Sequence, residues 1–284
     1  MRGSVGRSRP ISLFAALALC LAGAAAQATP PPARVASINL CTDQLAMMLA
    51  APGQLISVSM LVRDTRLSPL AQNARAYPVN HGQAEELFLM APDLVLAGRY
   101  GAQATVDMLR RLGIAVVQVA PARSFDDIRA NIRTVGTALG RKAEAEAMIA
   151  RFDADLAALA RDPATGPRAA VYAAGGYTSG RGTLIQDILS AAGLRNATAE
   201  AGRKGGGRVP LELLVTIAPD LVIRAQRYGG ASRAENMLDH PALAALMADQ
   251  PVHPRSDGTY ICGTPLVLRA VAELADAARA LEAR

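Results

Sequence analysis

Two short steps carry the side chains best suited to hold a ligand: Arg99-Tyr100-Gly101 and Arg227-Tyr228-Gly229. A guanidinium offers a planar fork of donors to carboxylate or other anionic oxygens, and a tyrosine adds a flat apolar face with a polar tip. A third segment, Tyr177-Thr178-Ser179-Gly180-Arg181-Gly182, is a glycine-rich turn ahead of a helix. Its amides suit an acceptor group, although glycines there also serve simply to allow a tight turn. It lacks the spacing of a Walker loop or a dinucleotide fingerprint. Arg63, with Asp64, sits in a loop at the carboxyl end of an expected strand. The candidate ligand contacts are Arg63, Arg99, Tyr100, Tyr177, Arg181, Arg227 and Tyr228.

Catalysis finds little footing. The histidines are His81, His240 and His253, and none is spaced for zinc on one helix. Gly-x-Ser-x-Gly is absent, and no carboxylate pair stands out as acid and base. No resident metal or cofactor is expected.

Each Arg-Tyr step closes a duplicated passage. Residues 85–98 read EELFLMAPDLVLAG and residues 212–225 read ELLVTIAPDLVIRA. Aligned on Ala-Pro-Asp, Glu85 lies over Glu212 and Leu87 over Leu214. Two similar lobes facing one another, with a ligand held between them, account for such a repeat. Each glutamate opens a short helix, where a carboxylate complements the positive end of the dipole. As a symmetric pair they could equally present two charges to a two-fold partner.

The surrounding pattern alternates strands and helices, the signature of parallel βα units with covered sheet faces. Strands are expected at 34–40, 55–59, 94–97 and 115–120, with Thr42 capping the helix after the first. Helices are expected at 85–90 and 106–112. A long helical stretch starts at Ser124 or Asp126 and is interrupted by Gly140. Its second half has an apolar stripe of Ile149, Phe152, Leu156 and Leu159. A second set follows: strands at 168–174, 221–223 and 259–262, helices at 183–192, 211–217 and 266–281, and a flexible loop at 202–210. Lobe boundaries of 33–140 and 168–284, with a bridging helix at 141–162, follow from this order. In parallel α/β sheets, ligands meet the carboxyl ends of the strands.

Residues 1–28 read as a secretory leader: Arg2, Arg7 and Arg9, an apolar run at 11–26, then Ala26-Gln27-Ala28. Cys20 could suggest a lipid anchor, but Leu19 is bulky where a small residue is wanted. Cleavage near Ala28 would remove three arginines and no acids from a formal charge of +6. The basicity is therefore partly the leader's, and nothing points to nucleic acid. Two cysteines then remain, Cys41 and Cys262, in an oxidising compartment. A disulfide is favoured over a metal site or two separate buried thiols; closing so long a loop would add about 5 kcal/mol in the chain-entropy model.

The leader, the RVASINL opening, both Glu-x-Leu…Pro-Asp-Leu-Val units, the bridging helix and Tyr-Thr-Ser-Gly-Arg followed by Ile185, Leu189, Ala192-Gly193 and Asn196 resemble one family. It is the helical-backbone class of periplasmic solute-binding proteins, which serve ABC importers of cobalamin and ferric siderophores. The resemblance spans the whole chain after the leader. It implies two α/β lobes, each with a mainly parallel sheet, joined by one long rigid helix, with ligand in the cleft and modest closure. It also implies that Glu85 and Glu212 pair with arginines on the two subunits of a membrane permease. Cobalamin-binding members place tryptophans around the corrin, and this chain has none. Members that take anionic siderophores use arginines and tyrosines, which Arg99, Tyr100, Tyr177, Arg181, Arg227 and Tyr228 could supply.

The expectation is a monomeric periplasmic carrier of a metal chelate, most simply a ferric siderophore, that performs no chemistry. Cobalamin or haem is the alternative, with Tyr100 and Tyr228 as possible axial ligands for haem. If the loops holding Cys41 and Cys262 face the cleft, their bond would tie the lobes together. A periplasmic hydrolase would need an activated nucleophile, and a bare-cation carrier would need converging histidines and carboxylates; neither is evident.

Overall fold

The computed structural model describes Gly3 and residues 30–227, 232–252 and 254–283. The expected leader apart from Gly3, together with Tyr228 and His253, falls outside the described residues. Pro31–Arg284 forms one compact unit.

The first half runs β1 (Val35–Ser37), α1 (Leu40–Leu49), β2 (Leu55–Ser59), β3 (Val79–Asn80), α2 (Ala84–Leu89), β4 (Leu94–Gly98), α3 (Gln103–Arg111) and β5 (Ala115–Val119). Its five strands make a parallel sheet in the order β3-β2-β1-β4-β5. Two helices follow, α4 (Phe125–Ala138) and α5 (Lys142–Leu159). The second half runs β6 (Arg168–Tyr172), β7 (Tyr177–Ser179), α6 (Leu184–Ala191), β8 (Arg195–Asn196), α7 (Ala197–Glu200), β9 (Gly206–Arg208), α8 (Leu211–Ile217) and β10 (Leu221–Ala225). It ends with α9 (Arg233–Asn236), α10 (Pro241–Met247), β11 (Arg255–Ser256) and α11 (Val267–Glu282). Here β11-β10-β6-β8 is a second parallel sheet, and β7 pairs with β9 as an antiparallel ribbon.

The duplicated passages lie in separate sheets at equivalent places, since β4 pairs with β1 as β10 pairs with β6. The equivalence reaches single atoms. Asp93 Oδ2 accepts from the amides of Ala33 and Arg34 at 2.8 and 2.9 Å, and Asp220 Oδ2 accepts from the amide of Arg168 at 2.7 Å. In return, the Arg34 side chain donates to the carbonyls of Met90 and Ala91, and that of Arg168 to the carbonyl of Ala218. Each arginine thus caps the end of the helix before the proline, satisfying carbonyls that have no partner within the helix. Ala91 and Ala218 both sit at φ 45°, a left-handed conformation that costs a residue with a Cβ. The capping network holds it in place.

Between the sheets, Gly140 turns the chain at φ +72°, so the helical stretch is two packed helices. On α5, Ala145, Met148, Ile149 and Phe152 are buried. Phe152 meets Phe125 edge-on at 5.8 Å, and the Arg129 guanidinium stacks over it at 5.5 Å. One hydrophobic core runs from the first sheet through α4 and α5 to α6 and α11.

Three expectations on local structure are corrected. Asn39, not Thr42, caps α1: its side chain accepts from the amides of Cys41 and Thr42, which ends the first strand early and puts Cys41 in the first helical turn. The expected strand at 259–262 is a 3-10 turn, Gly258–Tyr260, nucleated by Asp257, whose side chain accepts from the Thr259 amide at 2.8 Å. The expected loop at 202–210 contains β9, paired with β7.

Candidate functional site

The carboxyl ends of β1, β4 and β5 open into a cavity of about 160 Å³. Asn39 and Cys41 enter it from the start of α1, Arg99-Tyr100-Gly101 from the loop after β4, and Ala120-Pro121-Ala122 from the loop after β5. Ile261 and Gly263, from the distant end of the chain, close the other side.

Arg99 is held by its backbone: its amide donates to the Val119 carbonyl at 2.9 Å, and Gln103 donates to its own carbonyl. Its exposed guanidinium has no acceptor among the described residues. Tyr100 is 71% exposed at the rim. Asn131, on α4, braces the loop after β5 by donating to the Ala120 carbonyl at 2.9 Å. The wall is therefore mixed, with Leu45, Val119 and Ile261 beside a free cationic fork and amide groups. Such a surface suits a ligand with an apolar face and anionic oxygens.

Behind the cavity, Asp43 anchors α1 to the sheet. Its carboxylate accepts from the Ser59 amide and hydroxyl at 3.1 and 2.5 Å, and burial lifts its pKa to about 7. The neighbouring Gln44 donates to Ser68 and accepts from Thr264 at 3.3 Å. Beside that contact, the sulfurs of Cys41 and Cys262 are joined, with their Cα atoms 5.1 Å apart.

Of the residues singled out in the sequence, Arg99, Tyr100 and Cys41 line the cavity; Arg63, Tyr177, Arg181 and Arg227 do not. The Arg63 guanidinium donates to the Tyr77 carbonyl. Tyr177 lies on the β7/β9 ribbon, half-exposed, and Arg181 follows it, exposed. Arg227 is paired with Asp239. Among the histidines, His81 bonds Glu86 and His240 caps α10. Among the described residues, no group of three His, Cys, Asp or Glu side chains is placed to hold a metal ion. Sequence reasoning passed over Asn39, Asn131 and Ile261. An asparagine ahead of an apolar helical pattern is a recognisable cap signal, but Ile261 was hidden by the strand expected around it.

A wider depression of about 590 Å³ lies at the amino ends of β6, β8 and β10. Its arginines, Arg168 and Arg195, are both paired with Glu200. Size favours this depression; free donors and the strand-end rule favour the smaller cavity.

On the outer surface, Glu85 and Glu212 are exposed in the first turns of α2 and α8. Each stands beside uncovered apolar side chains, Phe88 and Leu89 on one helix and Leu213 and Val215 on the other.

Comparison with known proteins defines the class. The family described as periplasmic binding protein matches residues 35–250. The chain is 30% identical over 203 residues to a cobalamin-binding protein of Halobacterium salinarum, covering 68% of this chain and 53% of that protein. It is 26% identical over 150 residues to the uncharacterized ABC transporter substrate-binding lipoprotein YvrC of Bacillus subtilis, covering 49% and 47%. The chain spans about half the length of these curated relatives. Among solved structures, the periplasmic heme-binding protein RhuT from Roseiflexus sp. RS-1 superposes with a TM-score of 0.71 at 23% identity, over 86% of this chain and 98% of that one. The periplasmic vitamin B12 binding protein BtuF of Vibrio cholerae gives 0.65 at 18%, over 89% and 99%. These likenesses show a shared two-lobed α/β fold. The chain belongs to the periplasmic binding protein family.

Proposed function

We propose that this protein is the solute-binding component of an ABC importer, capturing a metal chelate between its lobes and handing it to a membrane permease. The observation that carries the reading is the unpaired Arg99 guanidinium beside Tyr100 in a cavity formed by both halves of the chain. A cavity of about 160 Å³ is below the roughly 300–1,000 Å³ of a site that encloses a drug-sized ligand. Most of a chelate would therefore rest in the open mouth, with only an edge inserted toward Arg99. An anionic ferric siderophore fits that arrangement best. A corrinoid is the second reading, supported by the relationship to the Halobacterium cobalamin-binding protein; haem is a third, with Tyr100 at the rim.

Glu85 and Glu212, each flanked by apolar side chains, form the proposed docking points for the two permease subunits. The protein would act as a monomer, without a resident cofactor and without catalysing a reaction.

Native mass spectrometry and visible spectra of protein exported to its own periplasm identify the bound chelate. Titration with anionic ferric siderophores, cyanocobalamin and hemin, followed by tyrosine emission, ranks the candidates. Micromolar or tighter binding of one chelate, lost in Arg99→Ala, is the expected result. Failure of every chelate to bind would overturn the reading.

A further inference from the structure

The segment from Gly258 to Thr264 belongs to the second half of the chain, yet it is embedded in the first. A Cβ added at Gly258 would lie 2.7–2.9 Å from the backbone of Leu67 and Ser68, and one at Gly263 would lie 2.2 Å from the Ala122 side chain. Neither position has room for a larger residue. Thr264, fully buried, donates to Gln44 of α1, and Cys262 is covalently bound to Cys41 on the same helix. Between these fastenings, Ile261 is 45% exposed and lines the cavity. The strap is thus one wall of the cavity, and four contacts of three kinds pin it to the opposite lobe.

We propose that the bond between Cys41 and Cys262 is a redox latch on the ligand cavity: oxidised, it holds the strap as a fixed wall; reduced, it lets the strap lift from α1 and widens the mouth. The functional consequence rests on this cavity being the binding site. The latch itself does not depend on which ligand binds there.

The placement of the two sulfurs supports control from outside. Cys262 is 1% exposed, whereas Cys41 is half-buried and lines the cavity, so a thiolate approaches from the mouth. A dithiol attacks one sulfur, the S–S bond breaks, and a mixed disulfide forms. The second thiolate of the reductant then displaces the remaining protein sulfur. The protein gains two electrons and two protons as two thiols, and the dithiol leaves as its cyclic disulfide. What remains to hold the strap is the contact between Gln44 and Thr264, the glycine packing and the burial of Tyr260 and Cys262 in the core. Those are local contacts of the kind that open without global unfolding.

The test is hydrogen exchange read by mass spectrometry on the exported full chain, before and after dithiothreitol, and on the Cys41→Ser/Cys262→Ser variant. Reduction of the folded protein keeps the test decisive if the variant fails to fold. The expected result is about tenfold faster exchange in peptides covering 258–264 and 39–45, with the sheet peptides 94–97 and 168–172 unchanged. Equal exchange in both forms, or acceleration spread evenly over both sheets, overturns the latch. So does peptide mapping that finds both thiols free in protein taken directly from the periplasm. Chelate titration of the oxidised protein tests the binding reading separately, so the two can fail independently.

Discussion

The unit formed by α2 and β4 and the unit formed by α8 and β10 share a skeleton but diverge just past it. Both begin with an exposed glutamate, pass through an alanine at φ 45° and place an aspartate under the amides of the opening strand. In the first, the next arginine reaches the cavity with its guanidinium free. In the second, Arg227 is held by Asp239, with Arg224 at 4.0 Å from the same carboxylate. Repetition therefore preserved the scaffold and the outer face, while the inner loops were free to differ. On the proposed reading, a ligand in the first cavity would meet the open fork of Arg99, while Arg227 lies outside that cavity with its internal partner.

The largest effect expected from breaking this comparison is on its symmetric part. Replacing Glu85 and Glu212 together by alanine should abolish uptake in a transport assay while ligand affinity, measured by titration, stays within about twofold; each single replacement should give partial loss. Intact uptake would remove the docking role.

Next comes the asymmetric part. Arg99→Ala should weaken binding by about ten- to a hundredfold, the scale of a lost charge-assisted contact, whereas Arg227→Ala should change the dissociation constant by less than about threefold. Asp239→Asn sharpens the contrast: releasing Arg227 should tighten binding of an anionic chelate. Equal losses for Arg99→Ala and Arg227→Ala would show that both loops grip alike.

Asp43 is fully buried in the first turn of α1, whereas Asp187 at the matching place in α6 is half-buried, its pKa also raised by burial, so Asp43 contributes one of the pH signatures in the molecule. Its folded pKa is raised by burial from 3.8 to about 7, so the stabilisation it brings is complete below about 3.8 and is lost as pH rises through about 7. Thermal unfolding should show stability falling across that interval, by on the order of a few kcal/mol, and Asp43→Asn should flatten the slope. A flat profile in the native protein would contradict the burial argument. The smallest effect belongs to the shared turn: Ala91→Gly and Ala218→Gly should each shift stability by no more than about 1 kcal/mol, with relief of the left-handed backbone offset by the added freedom of the unfolded chain.

Much of this architecture was legible because its signals are local. The repeated Pro-Asp unit placed α8 at Leu211–Ile217, as found, since proline limits the residue before it. Thr183 reads as a helix start and Ser124 as one of two, beside Asp126; the Thr183 and Ser124 side chains each accept from an amide in the first turn. What escaped depends on contacts between distant residues. The β7/β9 ribbon joins two glycine-rich stretches about thirty residues apart, and neither shows the alternation of a strand on its own. Thr259, Tyr260, Ile261 and Cys262 have the composition of a strand, but Asp257 captures the Thr259 amide and Gly258 lies against another lobe's backbone. For the site, Arg99 and Tyr100 were recoverable from their place after β4. The Ile261 wall was not, because only the tertiary fold brings it across.

The lacing of the chain's entry into the first sheet has a practical consequence. Ala33 and Arg34 are fastened to Asp93, and the Pro32 carbonyl accepts from Gln54, all at the end of the strands from which β1 departs, whereas the cavity opens where β1 stops. A tether at that point, whether a bead, a sensor chip or a reporter domain, would grip the molecule by its back and leave the mouth facing solution.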